Sequence, residues 1–242
     1  PHLYAGTMPA TTQFLRLLPV QQDEHFPATM VDTRTGKRYD VWIVPQRRYV
    51  AGLGPWYQDV EMVVGGEVSI SPRADPLTFE IAATPVRGRR SEWVRSAAVV
   101  DGRLVLQMQR ASIGVRCDRN MLTDVPDRRS LAELMARMAA QQLSLPALVR
   151  LAFEELAKLN SKGVVHSKSI YAVANMLRRT GVVPIFAELT RRACYDPVGD
   201  GFWAYESTLE STVYRTAEDM RERPLSTRGD LSKDQVVQYL GR

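Results

Sequence analysis

The sequence predicts an α+β protein: an N-terminal antiparallel β barrel or sandwich, then a small helical domain closed by a β ribbon, then a helical tail. Three observations carry this reading. About seven short β-prone runs lie between residues 12 and 110, at the close spacing of a small barrel or sandwich. Three stretches with helical apolar spacing follow between residues 144 and 192. Two β-prone runs then flank Pro197-Val198-Gly199-Asp200-Gly201, a turn with two glycines free to take positive φ. The predicted division is residues 1–110 for the β domain, 111–143 for a connector and helix, 144–206 for the helices with the ribbon, and 207–242 for the tail.

In the first part, residues 12–18 and 27–31 read as strands. Arg38-Tyr39-Asp40-Val41-Trp42-Ile43-Val44 is strongly β-prone and stops at Pro45. Residues 60–64 and 68–70 flank Gly65-Gly66, a hairpin signal, and residues 77–83 follow Pro76. The strongest hairpin joins residues 93–100 to 103–109 through Asp101-Gly102, which favours a type I′ turn. Residues 111–129 are polar and irregular. Ser130-Leu131-Ala132-Glu133 has the form of a capping box and opens a helix to about residue 142.

In the second part, Ser144 is a capping residue and Pro146 falls in the first turn, where a missing N–H costs nothing. Leu145, Leu148, Leu151, Ala152, Leu156 and Leu159 form the apolar face of that helix. A second helix starts near Ser167, with Ile170, Val173, Ala174 and Leu177 inward and Arg178 and Arg179 in its last turn. Pro184 opens a third, anchored by Ile185, Phe186 and Leu189; its remaining face carries Glu188, Thr190, Arg191 and Arg192. Residues 193–195 and 202–205 make the ribbon. In the tail, Ser207-Thr208-Leu209-Glu210 and Ser232-Lys233-Asp234-Gln235 read as further capping boxes, with Val236, Val237 and Leu240 apolar.

Helix, turn, helix and hairpin is the plan of a winged helix. Ile170-Tyr171, the run from Pro184 to Leu189, and Gly199-Asp200-Gly201-Phe202-Trp203 resemble the winged-helix domains of the HARE-HTH type. The resemblance covers residues 144–206. It implies duplex DNA as partner, with the third helix in the major groove and the ribbon along the backbone. Thr190, Arg191 and Arg192 would then touch the DNA, with Lys168, Arg178 and Arg179 on phosphates. Winged helices also dock proteins, and Glu188 on the reading face would repel phosphate.

The formal charge is +5 and the three segments 1–110, 111–206 and 207–242 carry +2, +3 and 0, so a nucleic-acid site must be a local patch. One such patch sets Arg87, Arg89, Arg90 and Arg95 around Trp93; Arg47, Arg48, Tyr49, Trp56 and Tyr57 also lie in loop-like sequence. Arginines interleaved with aromatics suit single strands or flipped bases. The other reading of the patch is a solvated hairpin end with the tryptophan turned into the core.

Two cysteines, Cys117 and Cys194, make no disulfide framework and fit a reducing, cytoplasmic setting. No run is long and apolar enough for a membrane span, and no secretory signal is visible, so no membrane partner is expected. The chain begins at Pro1 rather than Met, the expectation for a piece of a longer protein.

Catalysis is expected less than binding, and no cofactor or metal is expected. Asp75 with Glu80-Ile81-Ala82 fails as a metal nuclease motif because alanine stands at the lysine position. His166-Ser167-Lys168 lacks the aspartate of a phospholipase-D-type motif, and the three histidines have no metal-ligand spacing. No phosphate loop or nucleophile elbow is present. Three functions remain: a DNA-recognition module, a protein-docking scaffold that also uses the tail, and a nuclease or other DNA-processing enzyme whose site no motif reveals.

Overall fold

The computed structural model describes residues 2–19, 24–84 and 90–214, with the side chain of Arg90 outside that description. The fold is α+β, and its N-terminal sheet is one curled half-barrel. Contacts group the chain into two compact units: residues 1–92 with 111–122, and residues 93–110 with 123–242. The sequence boundary at residue 110 therefore falls inside a hairpin whose residues are divided between the two units.

The first unit contains β1 (Thr7–Pro9), α1 (Thr12–Leu15), β2 (Phe26–Asp32), β3 (Arg38–Val44), β4 (Tyr49–Ala51), α2 (Gly54–Asp59), β5 (Val68–Pro72) and β6 (Thr78–Ala83). Its six strands run in the order β1-β4-β3-β2-β6-β5. All neighbours are antiparallel except β2 and β6, which pair in parallel, so the purely antiparallel expectation does not hold. Strand β3 shows the period of two plainly: Tyr39, Val41 and Ile43 are buried while Arg38, Asp40 and Trp42 face out. The core joins Phe14, Met30, Ile43, Trp56, Phe79 and Ile81.

Three sequence expectations fail here for local reasons. Residues 12–18 were expected as a strand; Thr11 instead accepts from the Phe14 amide through its hydroxyl and starts the short helix α1. Residues 60–64 form a turn at the end of α2, not a strand. The Gly65-Gly66 pair is not a hairpin turn: Gly65 takes φ +83, and its carbonyl accepts from the Asp118 amide at 3.1 Å. A Cβ there would sit 3.1 Å from the Asp118 carbonyl oxygen, so glycine lets residues 111–122 pack within the first unit.

The second unit contains most of β7 (Arg90–Val100) and β8 (Arg103–Ile113), then β9 (Thr123–Asp124), α3 (Arg128–Ala140), α4 (Leu145–Ala157), β10 (Val165–His166), α5 (Ser167–Leu177), α6 (Val182–Arg191), β11 (Tyr195–Gly199) and β12 (Phe202–Tyr205), with a 3-10 turn at Ser207–Leu209. The β7–β8 turn is as expected: Asp101 and Gly102 both have positive φ, +48 and +71. Ala97, Leu104 and Leu106 of this hairpin share one core with Leu134 of α3, Leu148 and Phe153 of α4, Leu177 of α5 and Leu189 of α6.

Helix starts depart from the sequence reading by a few residues. Ser144 caps α4 as expected, accepting from the Ala147 amide. The cap of α3 is Asp127, which accepts from both the amide and the hydroxyl of Ser130, so Ser130 supports a helix that began earlier. Helix α6 opens at Val182 rather than Pro184. Arg178 is extended, at φ −149, and with Arg179 lies beyond α5 rather than in its last turn. The ribbon begins at Tyr195; Ala193 and Cys194 are buried but outside it. The expected helix at Ser207 is the short 3-10 turn, capped by Glu206. The capping box at Ser232 lies outside the described residues. No helix among the described residues is long and apolar enough to cross a membrane.

Candidate nucleic-acid interface

Strand β10 comes between α4 and α5 in sequence, yet it pairs with β12, giving the sheet order β10-β12-β11. This ties the ribbon to the head of α5. The Ser167 amide donates to the Gly201 carbonyl at 2.8 Å. His166 caps α5, its Nδ1 accepting from the Lys168 amide at 3.0 Å. The His166 ring meets Phe202 edge-on with centroids 5.0 Å apart. His166 is thus the cap of α5 and a wedge under the ribbon.

Gly201 makes this junction possible. It has φ +78, and a Cβ on it would fall 2.9 Å from His166 Nε2. Gly201→Ala is expected to destabilise the second unit by about 1–2 kcal/mol, from left-handed strain plus displacement of the histidine. Thermal unfolding checks this; a melting temperature equal to the native protein's would remove the role given to His166.

Helix α6 buries Ile185 and Leu189 and sets the Phe186 ring edge-on to Trp203, centroids 5.9 Å apart. The helix and the ribbon are therefore oriented by one core. The outward surface of α6 differs from the sequence expectation. It is led by Val183, 73% exposed, with Val182 and Phe186 also exposed. Thr190 is half-buried, and its hydroxyl donates back to the Phe186 and Ala187 carbonyls at 3.1 Å. The apolar residues ahead of Pro184 were assigned no surface role in the sequence; their position in the first turn, off the Ile185–Leu189 stripe, is the signal that finds them.

The six candidates of this region separate into two groups. Arg192 is neutralised: its Nε lies 2.7 Å from Glu188, and its Nη1 donates to the Glu210 carbonyl at 3.3 Å. That pairing also answers the objection raised by Glu188, whose charge is matched inside the protein. Arg178 donates to the Leu143 carbonyl and closes the turn after α3. Thr190 has its hydroxyl turned to the helix backbone. Lys168, Arg179 and Arg191 carry exposed side chains, at the head of α5, in the α5–α6 turn and at the end of α6.

The arginine-aromatic patch divides as well. Arg87 and Arg89 lie outside the described residues, and Arg90 starts β7. Trp93 is 63% exposed, so the core-facing reading of this tryptophan is wrong. The Arg110 guanidinium lies over its ring, 5.8 Å from the centroid. Arg110 was not singled out in the sequence; it stands as far after Gly102 as Trp93 stands before Asp101, and that symmetry about the turn is the signal that would have named it. Trp56 and Tyr57 are not loop aromatics. Both are buried in α2, where the Trp56 indole donates to Asp32 and the Tyr57 hydroxyl to the Thr7 carbonyl. Arg48 donates to the Thr12 hydroxyl.

Burial pushes the Cys194 thiol up to about 11, which keeps it protonated and unreactive at neutral pH. Asp75 accepts from Thr78 and the Leu77 amide, and Glu80 pairs with Arg73 at 3.2 Å; both carboxylates stabilise the β5–β6 hairpin. No group of three or more His, Cys, Asp or Glu residues that could hold a metal occurs among the described residues. Compared with protein-family models, with curated proteins and with solved structures, the chain matches none of them.

Proposed function

We propose that residues 144–206 form a winged helix that binds duplex DNA, with α6 in the major groove and the β11–β12 ribbon along the phosphate backbone. The observation that carries this reading is the shared anchoring of α6 and the ribbon: one core holds both, through Phe186 on Trp203 and His166 on Phe202. Two elements fixed relative to each other can follow a groove and its phosphates together. The exposed cations Lys168, Arg179 and Arg191 supply the charge. Arg192 and Arg178 hold the scaffold that presents them.

The salt dependence of binding tests the assignment. Each phosphate contact contributes roughly 0.9 to the slope of log affinity against log salt. Arg179→Ala with Arg191→Ala is expected to lower that slope by about 1.8 and to weaken binding to random duplex at low salt. Unchanged affinity and slope would overturn the roles of both arginines.

The apolar surface at Val182, Val183 and Phe186 favours a second reading, in which α6 docks a protein partner. A mobility shift with random duplex at low salt separates the two, because a docking module gives none.

A further inference from the structure

We propose that the β7–β8 hairpin is a separate binding site for single-stranded nucleic acid, with an unpaired base stacked on Trp93 beside Arg110. The proposal goes beyond the duplex reading and does not depend on α6.

The four tryptophans of the chain show what is unusual. Trp56 and Trp203 are buried in the two cores. Trp93 is the most exposed large hydrophobic residue among those described except Val183. An exposed indole still offers a flat π-face, and here the hairpin backbone fixes its position on a strand rather than a loop. The Arg110 guanidinium covers one face of the ring, 5.8 Å from the centroid, so a base would stack on the opposite face with a cation close by for its phosphate. A protein-derived ring with a cation beside it matches the two recurrent features of a nucleotide: a π-face and an anion.

Charge along the hairpin supports the same class of ligand. Between residues 93 and 110 the ionisable side chains are Arg95, Arg103, Arg110 and the single acid Asp101 at the turn. Met108 and Arg110 stand two residues apart on β8, so they share one strand face, and both are exposed. Arg103, seven residues from Arg110, points to the opposite face and takes no part in the platform. A duplex cannot use such a platform, because its bases already have both faces stacked. The ligand class is therefore a strand with unpaired bases.

The probes are a thymidine 12-mer and an abasic 12-mer of the same charge, each end-labelled with fluorescein so that anisotropy reports binding to every variant alike. Binding of the thymidine strand is expected to raise the anisotropy and, in a Trp42→Phe background, to quench the Trp93 emission of the parent. Trp93→Ala is expected to weaken it at least tenfold, and Trp93→Tyr, which keeps an aromatic face, to stay within threefold of the parent. The abasic strand is expected to bind the parent no better than the thymidine strand binds Trp93→Ala. Equal affinity of Trp93→Ala and parent, equal losses for the Ala and Tyr variants, or equal binding of the abasic and thymidine strands would each overturn the proposal. The α6 reading stands or falls apart from this: Trp93→Ala is expected to keep duplex affinity and its salt slope, and the Arg179/Arg191 double variant to keep thymidine binding.

Discussion

Trp56→Ala is expected to destabilise the first unit by about 3–5 kcal/mol, the range for truncating a large buried aromatic. The indole is fully buried, 0% exposed, in the centre of the half-barrel core. It also donates from Nε1 to Asp32 at 2.7 Å. Asp32 is itself buried, and its other oxygen accepts from the Arg34 amide, the Thr35 amide and the Thr35 hydroxyl. These bonds fix the tight turn between β2 and β3. Burial alone would raise the Asp32 pKa; the hydrogen bonds from Trp56, Thr35 and Arg34 outweigh it and leave the carboxyl below its ordinary value. A depressed carboxyl contributes stability that is complete above its unfolded value and is lost as pH falls through the lowered, folded one. Trp56→Phe separates the two effects. It keeps most of the bulk and deletes the donor to a charged group, at a cost of about 1.5–3 kcal/mol. Its deficit is expected to be largest at neutral pH and to narrow in acid, once Asp32 is protonated in both proteins. Urea unfolding followed by hydrogen exchange of the β3 amides measures this. A Trp56→Ala loss below about 1 kcal/mol, or a Trp56→Phe deficit independent of pH, would contradict the assignment.

The same network shows why part of this fold was legible in the sequence and part was not. Strand β3 could be read because burial on one face and solvent on the other impose alternation on every residue from Arg38 to Val44. The β7–β8 turn could be read because Asp-Gly is among the few pairs that tolerate two positive φ angles. Helix α4 could be read from its cap and its apolar stripe. The placement of Trp56 could not: Gly54-Pro55 and a neighbouring tyrosine look like loop chemistry, and only a partner at Asp32, far away in the chain, makes the indole a core residue. The parallel pairing of β2 with β6 is equally non-local.

In the candidate site the sequence located α6 and the ribbon but did not separate their cations by surroundings. Composition counts Arg191 and Arg192 alike, but helical geometry sends them to different surroundings. Arg192 stands four residues from Glu188, on the side of α6 that turns toward Glu210, and is consumed there. Arg191 stays in solvent. Exposure of Val182 and Val183 was hidden for a related reason: the apolar pattern locates the buried stripe, not the residues that one turn of helix leaves outside it.

Phe153→Ala is expected to cost the second unit about 3–5 kcal/mol and to loosen the ribbon more than the helices. Phe153 is 1% exposed on α4, and its ring lies 5.6 Å from Tyr195 and 5.8 Å from Tyr205. Those tyrosines face each other across the base of the ribbon as Cα partners, with rings 5.4 Å apart. Three rings thus join the first helix of the group to both strands at once. Helix α6 keeps its own anchors, Ile185 and Leu189, when Phe153 is removed. The ribbon keeps β10, the His166 wedge and the single Phe186–Trp203 contact, but loses its anchor on α4. Hydrogen exchange should therefore show protection falling further at β11 and β12 than at α5. Duplex affinity should fall with it, since the proposed reading needs the ribbon and α6 held in one orientation. Phe153→Leu retains most of the volume without the ring stacking and should cost less than half as much. If Phe153→Ala leaves ribbon exchange unchanged while α5 loses protection, the aromatic cluster is packing for the helices, and the shared anchoring of helix and ribbon on which DNA binding was argued does not run through it.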